Sequence, residues 1–151
     1  MSSRVCICDA DFLIAQLMGS DTNHSNALQI AKQLVAEEAK VLIPVSALDE
    51  AATAIQRRYN NPPLANELLQ QYKDPNLLVV AVSQDDFIES TNYFDPTASK
   101  RHTPFDCLIL ALAKNHKVDV ILSFDEFYDN KGFVVAKDLI EGSPKANLLV
   151  K

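Results

Sequence analysis

Glycine is scarce in this chain, with only 3 among 151 residues. Phosphate-binding loops need several closely spaced glycines, because their backbone must approach the phosphates closely. The sequence contains no such loop, and no serine or cysteine stands in the Gly-rich turn typical of a nucleophile elbow. These absences argue against glycine-loop nucleotide binding and against hydrolases that use that elbow.

Cysteine and histidine are equally few, at 3 residues each. Cys6 and Cys8 lie two apart on a predicted strand and therefore share a face, while Cys107 stands alone. Without a second cysteine pair we expect no zinc site, and three buried, reduced thiols in a cytoplasmic protein. His24 and His116 have no partner pattern, so histidine catalysis is not expected.

Long apolar runs are also absent. No run reaches the ~18 residues of a membrane span and no signal peptide is recognisable, so we expect no membrane association. Acidic side chains outnumber basic ones 20 to 14, giving a net charge of −6. Nucleic-acid binding favours Lys and Arg. The overall sign is nevertheless uninformative if several acids hold a metal and the cations are locally clustered.

Apolar strand-like segments alternate with helical ones along the chain. This alternation predicts one domain over residues 1–151, an α/β three-layer sandwich with helices on both faces of a central parallel sheet. The predicted strands are 5–8, 41–43, 77–82, 118–122 and 133–136. The predicted helices are 9–18, one capped by Asp21 and reaching Val35, then 46–59, 64–72, 83–93 and 103–116.

Four acidic residues stand just past a predicted strand or in the first turn of a predicted helix: Asp9, Glu50, Asp106 and Asp125. A parallel sheet would bring all four to the carboxyl edge of its strands, where ligands bind in open α/β folds. Ionised carboxylates about 4 Å apart repel by roughly 4 kcal/mol per pair at an effective dielectric of ~20. A hard divalent cation such as Mg²⁺ or Mn²⁺ would neutralise them.

Each of these acids also has a structural interpretation. Asp9 could simply cap the helix that follows it, and Asp106 is the third helical residue after Thr103, as in a capping box. Ser46 and Asp49 form a similar pattern, which leaves Glu50 either for the site or for the solvent. The helix after Asp106 is apolar all round and hence buried, which favours a ligand role for the acid at its start.

Further acids and two cation clusters flank the proposed site. Asp11 and Asp129 could support it, although Asp11 could equally favour the positive start of its helix; Glu126 is expected to be solvated. The cations lie at Lys100-Arg101-His102, before the Asp106 helix, and at Arg57-Arg58, after Glu50. They are either a solvated face or contacts for phosphates, with Lys100, Arg101 and Arg57 as the candidates.

Taken in order, these segments resemble the PIN-domain ribonucleases, particularly the VapC-type toxins of toxin–antitoxin pairs. The resemblance extends from about residue 4 to 137. It is carried by four motifs in the expected order: Cys8-Asp9-Ala10-Asp11-Phe12-Leu13-Ile14, Ile43-Pro44-Val45-Ser46-Ala47-Leu48-Asp49-Glu50, Thr103-Pro104-Phe105-Asp106 with the apolar run to Ala113, and Leu122-Ser123-Phe124-Asp125-Glu126-Phe127.

The resemblance implies a function and a site. Asp9, Glu50, Asp106 and Asp125 would be the catalytic, metal-binding quartet, supported by Ser123. It also implies strand order 3-2-1-4-5 and Mg²⁺- or Mn²⁺-dependent hydrolysis of single-stranded RNA, leaving 3′-hydroxyl and 5′-phosphate ends. The resemblance further implies a homodimer, and an antitoxin whose C-terminal segment fills the acidic groove.

Two departures and two alternatives stand beside this resemblance. Asp11 adds a fifth acid where a small polar residue is commoner, and residues 58–72 form a helical excursion that could reshape the substrate groove. Asp9 and Asp11 with Asp125 and Asp129 also resemble the haloacid-dehalogenase phosphatases, with Asp9 as nucleophile, although Leu13 departs from that pattern. A non-catalytic PIN-like binding domain is the other alternative.

Overall fold

Five parallel strands form the sheet at the centre of the structure, a computed structural model that describes residues 3–140. The strand order is β3-β2-β1-β4-β5, which confirms the predicted order. The strands are β1 (Val5–Cys8), β2 (Lys40–Pro44), β3 (Leu78–Val80), β4 (Val120–Leu122) and β5 (Val134–Val135).

Strand β1 is buried on both faces. Successive side chains of a strand point to opposite faces, yet Cys6, Ile7 and Cys8 are all fully buried. Helices therefore cover the sheet on both sides, as the α/β sandwich prediction requires. Cys6, Cys8 and Cys107 are buried, free thiols, as predicted, and burial raises the pKa of Cys6 to about 12.

The helices follow the predicted alternation. They are α1 (Ala10–Leu17), α2 (His24–Ala36), α3 (Val45–Arg57), α4 (Pro62–Gln71), α5 (Gln84–Thr91), α6 (Pro104–Asn115) and the short α7 (Glu126–Asp129), followed by a 3₁₀ turn at Ala136–Leu139. Helix α1 packs against α2 and α3, α3 against α4, and α5 against α6. Helix α7 and the 3₁₀ turn were not predicted, because four residues are too few to show a helical period.

Two predicted caps are wrong. Helix α2 begins after Asn23, while Asp21 accepts a hydrogen bond from the Asn23 backbone N–H at 2.8 Å in the preceding turn. Helix α3 begins directly after Pro44, the last residue of β2, and no side chain caps it. Ser46 thus lies inside the first turn and cannot be the cap of a box with Asp49.

The strand predicted at 118–122 is shorter than expected because the turn that closes helix α6 extends through Val118. Lys117 adopts a positive φ of 51°, and the Val118 N–H donates to the carbonyl of Ala113 at 3.0 Å. These residues close the end of the helix, so that β4 begins only at Val120. Within residues 3–140, no helix is both long and apolar enough to cross a bilayer.

Candidate functional site

The central strands β1 and β4 end side by side, and their last residues Cys8 and Leu122 are paired. Asp9 follows β1 directly, and its N–H donates to the Leu122 carbonyl at 3.1 Å. Asp9 lies between β1 and α1, where its Oδ1 accepts the Ala10 N–H at 2.7 Å as the N-cap. Its other oxygen, Oδ2, accepts a hydrogen bond from a different residue, Tyr128. The capping and site interpretations of Asp9 therefore coexist, one on each oxygen.

Tyr128, a fully buried residue of α7, links two of the acids. Its hydroxyl donates to Oδ2 of Asp9 at 2.7 Å and lies 3.3 Å from Oδ1 of Asp106. The carboxylates of Asp9 and Asp106 therefore lie within two hydrogen-bond lengths of each other, although Asp9 precedes α1 and Asp106 lies in α6. Sequence reasoning missed Tyr128, because nothing in its local pattern distinguishes it from an ordinary core tyrosine.

Asp106 forms the predicted capping box of α6: its Oδ2 accepts the Thr103 N–H at 2.7 Å. Asp86 holds the same place in α5, accepting the Ser83 N–H at 2.9 Å. Burial pushes the pKa of Asp86 up, but hydrogen bonds from Ser83 and Asn115 outweigh it and the pKa falls below its usual value. The pKa of Asp106 is instead raised, first by burial and then by the Asp125 charge. Asp86 and Asp106 thus make the same capping contact, but their surroundings shift the two pKa values in opposite directions.

Asp11, Ser123 and Asp125 form a second connected group. Oδ2 of Asp11 accepts hydrogen bonds from the Ser123 hydroxyl at 3.1 Å and the Phe124 N–H at 2.8 Å. The Ser123 oxygen accepts the Asp125 N–H at 3.1 Å. Oδ1 of Asp11 is buried and has no hydrogen-bond partner among residues 3–140. Ser123 thereby fixes the geometry of both aspartates.

Glu50 completes the cluster from helix α3. Burial raises its pKa from 4.5 to about 7, and the charges of Asp9 and Asp106 add to the increase, while Arg58 opposes it. Asp125 caps α7 by accepting the Phe127 N–H at 2.9 Å. The structure therefore brings together all four acids of the predicted quartet, from four separate segments of the chain.

The pKa values of the aspartates show how strongly this cluster resists ionisation. Burial raises the pKa of Asp9 from 3.8 to about 6; the charges of Asp106 and Asp125 raise it too, against the hydrogen bonds from Tyr128 and Ala10. Burial, and next the Asp9 charge, hold the pKa of Asp11 well above its usual range. Such coupled, buried carboxyl groups are characteristic of functional sites.

The donor set fits a hard divalent cation in its chemistry. It consists of carboxylate oxygens, the ligands that Mg²⁺ and Mn²⁺ prefer, and the unpartnered Oδ1 of Asp11 lacks a charge or donor to satisfy it. Within residues 3–140, the structure contains no group of three or more Asp, Glu, His or Cys side chains placed to hold a metal ion. Mg²⁺ does not require one, since it commonly keeps several waters and takes only one or two carboxylates.

The predicted cations are distributed unevenly around the site. Arg57 and Arg58 are exposed and line a cleft of about 850 Å³ together with Glu50 and Phe105. Arg58, which was not among the predicted RNA contacts, is the cation that acts on the Glu50 carboxyl. Lys100 and Arg101 lie exposed in the loop between α5 and α6.

Two of the flanking acids lie at α7. Asp129 forms an ion pair with Lys137 at 2.9 Å, so its carboxylate has a cationic partner already. Glu126 is exposed, as predicted. Neither residue is needed to account for the cluster described above.

Comparison with known proteins gives a family and a fold. The profile of the PIN domain matches residues 6–134. The chain is similar in fold to VapC20 of Mycobacterium tuberculosis, a toxin that cleaves the sarcin–ricin loop, with a TM-score of 0.73, 19% identity, and coverage of 85% of this chain and 96% of that one. It is also similar to VapBC2 of Rickettsia felis bound to a promoter DNA fragment, with a TM-score of 0.58, 10% identity and coverage of 87% and 96%. No curated protein sequence matches it significantly.

Proposed function

Because this chain belongs to the PIN domain family, we propose that it is a metal-dependent endoribonuclease that hydrolyses phosphodiester bonds of single-stranded RNA. The observation that carries the proposal is the gathering of carboxylates from four separate segments, with Tyr128 bridging Asp9 and Asp106. Buried acids placed together cost the fold stability. A cluster of this kind is understandable if the acids serve a cation and its substrate.

The proposed cation ligands are Asp9, Glu50, Asp106 and Asp125, with Asp11 in support. When bound, Mg²⁺ or Mn²⁺ would supply the electrophilic chemistry of hydrolysis, by polarising the phosphate and lowering the pKa of a water. Asp129, predicted to support the site, remains a prediction.

The chain's own residues would position this chemistry. Tyr128 orients Oδ2 of Asp9 by donating a hydrogen bond to it, and the Thr103 N–H fixes Asp106 by donating to its Oδ2. Ser123 holds Asp11 and the backbone of Asp125. In the metal-free protein burial raises the pKa of the half-buried Glu50 to about 7, so a cation that binds this carboxylate would displace its proton near neutral pH.

We further propose that the protein is the toxin of a VapC-type toxin–antitoxin pair. The similarity in fold to VapC20, a ribosomal-RNA-cleaving toxin, and to the VapBC2 complex supports this idea. A homodimer, an antitoxin that occupies the acidic groove, a cytoplasmic location and a single domain over residues 1–151 belong to the same proposal. Residues 1–2 and 141–151 lie outside the described residues.

The phosphatase alternative is disfavoured by the surroundings of Asp9. Both its oxygens accept hydrogen bonds, from Ala10 and Tyr128, and the residue is only 5% exposed. In-line attack would require a phosphate ester to approach one of these oxygens closely, which needs far more open space than the approach of a small cation. Asp9 is better suited to orient a cation than to attack a phosphate ester.

One assay distinguishes the alternatives. Labelled single-stranded RNA and p-nitrophenyl phosphate are each incubated with the protein in Mn²⁺ or in EDTA, using wild type and Asp9→Asn. We expect Mn²⁺-dependent RNA cleavage with 5′-phosphate products, lost in Asp9→Asn and in EDTA. Phosphate release from the small ester would favour the phosphatase, and inactivity toward both substrates would favour a binding domain.

A further inference from the structure

Phe105 is an exposed aromatic residue directly beside the acidic cluster. It is 48% exposed, although it precedes the buried Asp106 and Cys107 in helix α6. Its ring therefore lies at the surface, whereas the side chain of the next residue, Asp106, is buried in the site. A ligand that covers this ring gains the free energy of burying it.

The cleft that contains Phe105 combines this ring with a polar lining. Its volume is about 850 Å³, enough for more than one nucleotide unit, and helix α3 supplies the other side. Among the lining residues Phe105 is the one aromatic side chain. The lining consists of Ser46, Asp49, Glu50, Thr53, Ala54, Arg57, Arg58 and Phe105.

The charges of this cleft cancel formally, since Asp49 and Glu50 oppose Arg57 and Arg58. The chain as a whole carries a net charge of −6. General electrostatic attraction is therefore a weak source of affinity for a polyanion here. Short-range contacts must supply more of it, and stacking on an aromatic ring is a strong and sequence-tolerant one.

We propose that Phe105 is the stacking platform for one nucleobase of the bound RNA strand, with Arg57 and Arg58 holding backbone phosphate in the same cleft. The inference rests on the proposed function and adds a base subsite to it. Glu50 lines the same cleft as Phe105, so a strand stacked on the ring runs past one of the proposed metal ligands. A protein partner is less suited to this cleft, because Phe105 and Ala54 are the only wholly apolar side chains among its lining residues.

Binding and cleavage can be separated to test this. Anisotropy of a short labelled RNA is measured in EDTA for the wild type, Phe105→Ala, Phe105→Trp and Phe94→Ala. Phe94 is the matched control, because it is 47% exposed and does not line the cleft. We expect affinity to fall about 5- to 160-fold in Phe105→Ala, the range that stacking of one base covers. Phe105→Trp should retain affinity and Phe94→Ala should match the wild type.

An abasic RNA series identifies the stacked base. One abasic nucleotide is moved along the oligonucleotide, and each RNA is measured with the wild type and with Phe105→Ala. One position should weaken binding to the wild type markedly and have little further effect on the variant, because the same contact has already been lost. Equal losses in both proteins at every position would overturn the base subsite.

The outcomes separate this inference from the proposed function. RNA cleavage that is normal in Phe105→Ala at low and saturating RNA alike would overturn the stacking role and leave the nuclease intact. Phe105-dependent RNA binding without cleavage in Mn²⁺ would support the subsite and contradict the nuclease. If Phe105→Ala changes only the association state in solution, the ring is a protein contact and the proposal is wrong.

Discussion

The hydroxyl of Tyr128 donates a 2.7 Å hydrogen bond to Oδ2 of Asp9, a residue 119 positions away in the chain. Both residues are buried, and the same hydroxyl lies 3.3 Å from Asp106. A single phenol thus holds two carboxylates that repel each other. This contact explains how α1, α6 and α7 meet in one site before any cation binds.

Replacing Tyr128 with phenylalanine should destabilise the protein in a pH-dependent way. The ring still fills its space, but a buried hydrogen bond to a charged group is lost, which costs about 1.5–3 kcal/mol. The loss should be larger at pH 7.5 than at pH 5, where Asp9 is mostly protonated because its pKa is about 6. Urea unfolding at the two pH values measures the difference.

Tyr93→Phe provides the control for that experiment. Its hydroxyl donates to Glu89 at 3.0 Å on the partly buried face of α5, away from the acidic cluster. It should cost less than Tyr128→Phe and show little change between the two pH values. Equal and pH-independent losses in both variants would remove the special role of Tyr128.

The free energy of unfolding of the metal-free protein should fall as pH rises from about 4 to about 7. Asp9 and Glu50 have pKa values raised by burial to about 6 and about 7, from 3.8 and 4.5. Each binds its proton more tightly in the folded chain, so it stabilises the fold while protonated and loses that contribution on ionisation. For Asp9 alone the loss is on the order of 3 kcal/mol.

Asp9→Asn tests the origin of this slope, because the amide cannot ionise. Unfolding in EDTA across pH 4.5–8 should give a shallower decline for the variant than for the wild type. If the free energy of unfolding of the wild type stays constant or rises over this pH interval, ionisation of the acids does not destabilise the fold and the prediction is wrong.

Mn²⁺ should counteract the same decline. A cation that binds the ionised carboxylates stabilises only the folded chain, by about 2.7 kcal/mol at a hundredfold excess over Kd. Because its ligands must be deprotonated, the gain should be larger at pH 7.5 than at pH 5.5. Thermal unfolding with and without Mn²⁺ at these two pH values measures it; a Tm indifferent to Mn²⁺ at both would contradict a cation site.

Basic residues that contact phosphate should be identifiable from the salt dependence of RNA binding. If Arg57, Lys100 and Arg101 contact phosphates, alanine at each should lower RNA affinity and reduce the slope of log K against log[salt] by about 0.7, the value for one phosphate on a single strand. Arg58→Ala is expected to do the same. Lys32, exposed on α2, supplies the control. A residue whose variant keeps the wild-type slope belongs to the solvated surface.

The sequence predicts the sheet and the acids well, for a physical reason. Short apolar segments that alternate with segments of helical periodicity indicate a parallel sheet. An acid that directly follows a buried strand, such as Asp9, must then lie at the carboxyl edge of that sheet. Tyr128 and α7 could not be predicted in this way, because their role depends on where the chain returns in space. Helix α2 begins two residues later than predicted because the Asp21 carboxylate accepts the Asn23 N–H in a preceding turn, and the Asn23 side chain makes no capping hydrogen bond.

Asp86 and Asp106 make the most direct comparison available in this chain. Both are buried, and both accept a backbone N–H as the third residue of a capping box. Replacing either aspartate with Asn weakens the same kind of capping hydrogen bond. The free energy of unfolding alone therefore does not distinguish the two variants. Their surroundings do, since only Asp106 shares Tyr128 with Asp9.

The central claim is that the clustered carboxylates bind a divalent cation, and Mn²⁺ titration followed by electron paramagnetic resonance tests it directly. The wild type should bind Mn²⁺ saturably, Asp86→Asn should bind with the same affinity, and Asp106→Asn should bind about tenfold more weakly or worse. If the wild type shows no saturable binding, or the two variants bind alike, the acids are not a metal site and the account fails.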